Sequence, residues 1–385
     1  MSECKTVVVL GGGVGGVATA RELRKRLARQ HRVVLVDRER EHVFAPSLLW
    51  LMVGLRRAEA IKRPLSGLER KGIDVRLGEV EKIDPEARSE TVGGKAIAAD
   101  YLVVSLGAEL APETIPGLQE AGHNFYTLPG AEGLLDALSS LERGRIVILT
   151  AAPAYKCPAA PYEAALLVDH FLRERGRRDK VTIDVYAAEP GPMGVAGPDV
   201  SASVRQMVES KGIAYHPEHQ VTEVDAASRR LTFANGVTAE FDLLVHVPPI
   251  RAPKVVRDAG LTAESGWVPV DRHTMETSFQ GVYAIGDVTG IPLKLGKPLP
   301  KAGVFAHAEA SVVAANIVRA ATGKGKPARF DGHGGCFVET GDGKAGFGKG
   351  DFCAEPVPVV RMRPPGRRWH WGKVLLEKAW LRQWF

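Results

Sequence analysis

Apolar and polar positions along the chain alternate between two rhythms. Residues 7–10 form a short β-branched run, and residues 17–27 then carry apolar side chains at the spacing of a helix with one buried face. A second apolar run occupies residues 32–36. Residues 145–149, 162–175 and 181–186 read as a further strand, helix and strand, and residues 100–107 and 281–287 are strand patterns that end in small-residue turns. Strands that alternate with helices predict an α/β chain with parallel sheets, because each strand must cross over a helix to rejoin its sheet.

Composition narrows the class. The 385 residues suffice for two or three domains. A chain 45% hydrophobic and 25% charged is neither disordered, collagenous nor a disulfide scaffold. The longest uncharged runs, residues 6–20 and 43–55, fall short of the roughly 18 apolar residues that span a bilayer. The net charge of +6 is uneven: residues 355–385 hold seven Lys/Arg against two Glu, and four of the six tryptophans. A basic, Trp-rich end on a near-neutral body predicts contact with a membrane surface rather than with nucleic acid. The polar start, residues 1–5, lacks the basic and apolar regions of a leader. That predicts a cytoplasmic protein, peripheral on the inner face of the membrane, in which any Cys–Cys bond is redox-active.

Residues 11–16 read GGGVGG between the first strand and its helix, and Asp37 ends the second strand 21 residues later. Gly11 permits a tight turn, Gly13 lets backbone N–H groups approach a pyrophosphate, and Gly16 lets helix and strand pack closely. Asp37 can accept both hydroxyls of an unphosphorylated ribose. With the later Gly286-Asp287 pair, this arrangement resembles the two-dinucleotide-fold flavoprotein disulfide reductase superfamily. The resemblance implies two Rossmann-like folds in tandem and a bound FAD. It implies that Asp287 holds the ribityl chain and that Gly286 admits the phosphate. Val14, Gly15, Arg38, Ser47, Val80 and Gly107 fall at further cofactor-contacting positions. The expected division is an FAD-binding domain over 1–110 and 266–330, a second Rossmann-like domain over 111–265, and a C-terminal segment over 331–385.

The second fold departs from a nucleotide site. No glycine lies between Thr150 and Glu163, and three prolines brace that loop, so its backbone cannot approach a pyrophosphate. A nicotinamide cofactor is therefore not expected as the electron donor. The loop carries Cys157 at the end of a strand, where open α/β sheets place their ligands. Of the other cysteines, Cys4 and Cys353 read as incidental, while Cys336 follows Gly-His-Gly-Gly and precedes Phe337.

Residues 152–163, APAYKCPAAPYE, resemble the active-site loop of sulfide:quinone oxidoreductases and of the flavoprotein subunit of flavocytochrome c sulfide dehydrogenases. Residues 247–251, 259–261, 266–271, 281–287 and 300–303 follow in family order. Residues 369–378 resemble the C-terminal extension of the quinone enzymes. Three departures stand out. Tyr126 occupies a third cysteine's position, Gly130 and Met193 replace two histidines, and residues 43–47 lack a cysteine for covalent flavin attachment. Non-covalent FAD is expected.

The resemblance implies sulfide oxidation with electron transfer to a membrane quinone through a Cys157/Cys336 redox pair, with either sulfur facing the flavin. Lys301 is then placed at the flavin edge, and Lys156 is a candidate for stabilising a thiolate. Glu163 is either a proton acceptor or a first-turn acid complementing the helix dipole. Phe337 is a candidate quinone contact. Leu376, Trp380 and Trp384, with Trp369 near the same face, form either an interfacial membrane stripe or a packed helix face. The expected partners are sulfide, quinone and the membrane surface, with a homo-oligomer left open and no metal. The alternatives are a single-subunit NADH:quinone oxidoreductase and a flavoprotein subunit that passes electrons to a cytochrome.

Overall fold

A computed structural model describes residues 4–385; the polar-start expectation falls partly on residues 1–3, outside the described residues. The first apolar run forms β1 (Thr6–Leu10), buried along most of its length, as a central parallel strand requires. It pairs in parallel with β2 (Arg32–Asp37) on one side. Outside β2 lies β3 (Asp74–Leu77), and beside β1 on the other flank lies β4 (Tyr101–Val104). The chain then leaves this sheet and returns at Val282–Ala284, which completes it as a fifth parallel strand beyond β4. Helix α1 (Val14–Arg26) makes the crossover from β1 to β2.

The second sheet repeats the plan. Its centre is β5 (Gly144–Thr150), flanked by β6 (Val181–Ala187) and β7 (Leu243–Val247), with Gly122–His123 and Ala214–His216 at the edges, all parallel. The crossover helix α2 (Ala160–Glu174) has a proline in its first turn, where the missing N–H costs no hydrogen bond. It is buried almost throughout because the sheet covers one face and a C-terminal strand the other. Helix α3 (Gly303–Thr322) then runs along α1.

After α3 come three antiparallel strands, β8 (His333–Gly341), β9 (Lys344–Asp351) and β10 (Val359–Gly366). The last element is the 17-residue helix α4 (Arg367–Gln383). Among the described residues, no helix is long and apolar enough to cross a membrane.

Here the membrane stripe needs correcting. Trp380 and Trp384 are only 6% and 9% exposed and belong to the core of the first sheet. The Trp380 indole N–H donates to Nε2 of buried His42 (3.0 Å), and its ring packs near Phe44 and His307. Spacing at i, i+4, i+8 serves a core-packed face and a bilayer-packed face equally, and a buried acceptor for the indole N–H decides for the core. Leu376 remains exposed, and the apolar surface of α4 comprises Trp371, Leu375 and Leu376. Trp369 is half-buried and stacks on Phe347, with ring centroids 4.8 Å apart.

Candidate active site

The glycine turn is shaped for a bound group. Gly11 has φ of +100°, and a Cβ at Gly16 would overlap the carbonyl oxygen of Gly11, so both positions demand glycine. A Cβ at Gly13 would instead meet open space. Gly13 caps α1 without a side-chain hydrogen bond, and the first turn holds no acid. The helix N-terminus, with Val14 and Gly15, thus presents free N–H groups and the positive end of its dipole to an anion. Asp37 accepts the Gly12 N–H through one oxygen and the Glu39 N–H (2.7 Å) through the other. His42 donates from Nδ1 to the Gly12 carbonyl (2.8 Å), and burial lowers its pKa, so the ring is neutral. This histidine ties the glycine turn to Trp380 of α4.

The other expected contacts are spread around this turn. Gly107 and Gly286 have φ of +69° and +73°, and Asp287 follows at the end of the fifth strand. The Gly286 N–H donates to buried Glu309 (2.7 Å), whose pKa burial pushes up to about 7. Val80 packs beneath the first sheet, and Arg38 is a surface residue beside Glu39. The Ser47 hydroxyl donates to Glu377 of α4 (2.7 Å), which ties this segment to α4.

Two segments far apart in sequence meet at the cysteines. Cys157 follows β5 with φ of +51°, a left-handed conformation that costs a non-glycine residue energy and marks a constrained site. Its N–H donates to the Lys301 carbonyl (2.7 Å), which locks the loop to the segment before α3. Cys336 arrives on β8, its Sγ 3.5 Å from the Phe337 carbonyl, and the two free thiols lie close enough to perturb each other. Their interaction raises the pKa of Cys157, which burial raises further, and lowers that of Cys336. Cys336 is the more acidic thiol of the pair. Both line a cavity of about 720 Å³ that Lys301, Glu189, Phe305 and Met193 also border.

Lys301 is the buried cation at the cavity wall, which Lys297 also lines. Its ammonium donates to the carbonyls of Asp287 and Thr289 (2.8 Å each) and lies 3.4 Å from the Trp267 ring centroid. Burial lowers its pKa to about 8. Lys156, the expected thiolate partner, turns instead toward the Ala108 carbonyl (3.3 Å). The cation that favours a thiolate at both cysteines is Lys373 of α4, which opposes the rise at Cys157 and adds to the fall at Cys336. Lys373 is 4% exposed, and its ammonium bonds Glu163 Oε1 at 2.8 Å. The same oxygen accepts the Glu339 N–H at 2.9 Å. Burial opposes the charge on Lys373, but the Glu163 and Glu339 carboxylates outweigh it and raise its pKa. His370 closes the group on Glu339 (3.0 Å).

The vestige of a nucleotide site is filled from within. Glu189 stands beyond β6, where a ribose-binding acid would sit. It accepts the hydroxyls of Tyr155 (2.5 Å), Tyr162 (2.7 Å) and Thr150 (2.7 Å), all buried. The first two come from the Cys157 loop and the start of α2. Glycine spacing revealed that the loop could not cradle a pyrophosphate, but the tyrosines that occupy its acid carried no periodic signal.

The sequence profile of the pyridine nucleotide-disulphide oxidoreductase family matches residues 5–314. The chain is 30% identical over 401 aligned positions to the sulfide-quinone reductase of Aquifex aeolicus, covering 98% of this chain and 90% of that one. It is 27% identical to the mitochondrial sulfide:quinone oxidoreductase of Dictyostelium discoideum, covering 87% of this chain and 75% of that protein. The crystal structure of the Aquifex aeolicus sulfide:quinone oxidoreductase superposes with a TM-score of 0.89 at 28% identity, over 99% of this chain and 91% of that one. FAD is the cofactor of this family, and the open Gly13 turn, the uncapped α1 and Asp37 fit it. Profile, full-length relatives and superposed fold agree with the paired thiols: the chain belongs to the pyridine nucleotide-disulphide oxidoreductases and, among them, to the sulfide:quinone oxidoreductase family.

Proposed function

We propose that this protein oxidises sulfide and passes the electrons to a quinone. One observation carries the reading: Cys157 and Cys336, 179 positions apart in sequence, come together as free thiols on one cavity that Lys301 also borders, in the fold where relatives would bind a nicotinamide. In the oxidised protein the two thiols form a disulfide. Hydrosulfide attacks one sulfur, the S–S bond breaks, one cysteine keeps the added sulfur as a persulfide and the other leaves as a thiolate. The low pKa of Cys336 favours it as the leaving thiolate. A second hydrosulfide removes the outer sulfur as a hydrodisulfide and leaves two thiols. Loss of two electrons and the thiol protons restores the disulfide. Bound FAD supplies the two-electron step between thiols and quinone. Lys301 is positioned to stabilise negative charge at the cofactor.

The proposed quinone contact is the aromatic row Phe337, Phe347 and Trp369, with successive centroids 4.9 and 4.8 Å apart. It begins beside Cys336 and ends at a buried indole N–H with no partner, suited to a quinone carbonyl. Trp371, Leu375 and Leu376, 59%, 64% and 48% exposed, are the proposed membrane-facing residues of α4, on the inner face of the membrane. The occupied Glu189 supports sulfide over NADH as donor. Steady-state reduction of decylubiquinone tests this: sulfide sustains turnover and NADH does not. Turnover with NADH alone overturns the proposal.

A further inference from the structure

A second cavity, of about 610 Å³, opens where α4 meets the segment between Arg56 and Arg63. Arg56, Arg63, Lys378 and Arg382 line it, with Trp371 at the same wall, and Glu377 is its one carboxylate. Glu377 is already neutralised: both its oxygens accept from Arg56 Nε (3.0 Å each), and Oε2 also takes the Ser47 hydroxyl. The Arg63 guanidinium hydrogen-bonds only to the Lys62 carbonyl (2.6 Å) among the described residues. Lys378 and Arg382 are exposed and pair with no carboxylate among the described residues. Three unpaired cations around a concave space of this size suit a multivalent anion. The mouth of the cavity adjoins apolar surface, since Trp371 lines it and Leu375 lies one turn further along α4. Charge in the hollow and apolar side chains at its rim match an amphiphile whose head is an anionic phosphate and whose tails lie beyond it.

We propose that this cavity binds the phosphate headgroup of an anionic phospholipid, held by Arg63, Lys378 and Arg382 with its acyl chains against Trp371 and Leu375. The inference rests on the reading that α4 faces the membrane and adds the lipid it recognises. Because Lys378 and Arg382 are exposed, each contributes a salt-screened attraction worth about fivefold in partitioning, roughly 25-fold for the pair.

The test is co-sedimentation of the flavin-loaded full-length protein with phosphatidylcholine vesicles, with and without phosphatidylglycerol. The proposal expects stronger partitioning onto the phosphatidylglycerol vesicles. Lys378→Gln/Arg382→Gln loses that gain by about 25-fold, and Lys378→Arg/Arg382→Lys, which keeps both charges, retains it. Equal partitioning of wild type and Gln variant onto phosphatidylglycerol overturns the lipid site while leaving a membrane-facing α4 intact. Binding to neither vesicle overturns the membrane reading itself. Displacement from phosphatidylglycerol by millimolar-range inorganic phosphate, at unchanged ionic strength, assigns the cavity to free phosphate and overturns the lipid as its occupant.

Discussion

Replacing Lys373 by methionine tests the electrostatic link between α4 and the thiols. The Lys373–Glu163 pair spans 2.8 Å with both side chains at most 5% exposed, so neither charge has water to fall back on. Methionine keeps the stem and removes the ammonium. It leaves Glu163 buried near Glu339 without a cation, which costs about 3–5 kcal/mol for a broken buried pair. Glu163→Gln is milder. Its amide oxygen still accepts the Glu339 N–H, and Lys373 still faces the Glu339 carboxylate, so the cost is about 1–2 kcal/mol. Removing both charges, as in Lys373→Met/Glu163→Gln, leaves no unpaired charge at position 163, keeps the acceptor for the Glu339 N–H and is less destabilising than Lys373→Met alone. Urea unfolding of the flavin-loaded protein, followed by circular dichroism and flavin fluorescence, measures all three midpoints. A Lys373→Met variant as stable as Glu163→Gln, or additive losses in the double variant, refutes the reasoning.

Further outcomes follow from other contacts. Trp380→Phe removes the donor to His42, which itself holds the Gly12 carbonyl. The variant should lose about 1–2 kcal/mol and release FAD at lower temperature, read by the flavin fluorescence on heating. Retained flavin affinity with weakened vesicle binding would instead return Trp380 to the membrane. Cys157→Ala removes the neighbouring thiol that lowers the Cys336 pKa, so Cys336 alkylation by iodoacetamide shifts to higher pH, whereas Cys157→Ser retains a donor and shifts less. Glu90 is 1% exposed with neither carboxylate oxygen paired, and burial raises its pKa to about 7. Its unfolded value is near 4.3, so the native state holds the extra proton between the two values. Stability is full below the unfolded value and falls as pH rises to about 7. Glu90→Met removes that slope and gains on the order of 2–3 kcal/mol at pH 8 in urea unfolding; an unchanged pH profile contradicts it.

Local rules carried the sequence far in some places and not in others. The β1 turn was legible because Gly11 and Gly16 answer to backbone sterics that only glycine satisfies, and those constraints act within a few residues. The glycine-free loop bearing Cys157 was legible for the same reason. Cys336 was a candidate through the resemblance, but its partner's hydrogen bond and its lower pKa depend on β8 crossing α2, a contact between distant segments. The burial of Lys373 and the choice between core and membrane for Trp380 were not legible in the spacing. A lysine in an apolar stripe signals solvent unless a buried acid faces it, and Glu163 lies 210 positions away. A tryptophan stripe likewise does not disclose that His42 waits as an acceptor 338 positions earlier. Ser47 fell at a cofactor position by resemblance, whereas the nearby Glu377 on α4 decides where its hydroxyl points.

The most direct test is an anaerobic titration of the purified yellow protein, with flavin absorbance followed after addition of sulfide and, separately, of NADH. Sulfide is expected to bleach the flavin rapidly in the wild type, Cys157→Ser and Cys336→Ser each to abolish that bleaching, and NADH to leave the spectrum unchanged. Full bleaching by sulfide in the double serine variant, or bleaching by NADH at the rate of sulfide, contradicts the claim that these two thiols are the entry point for electrons.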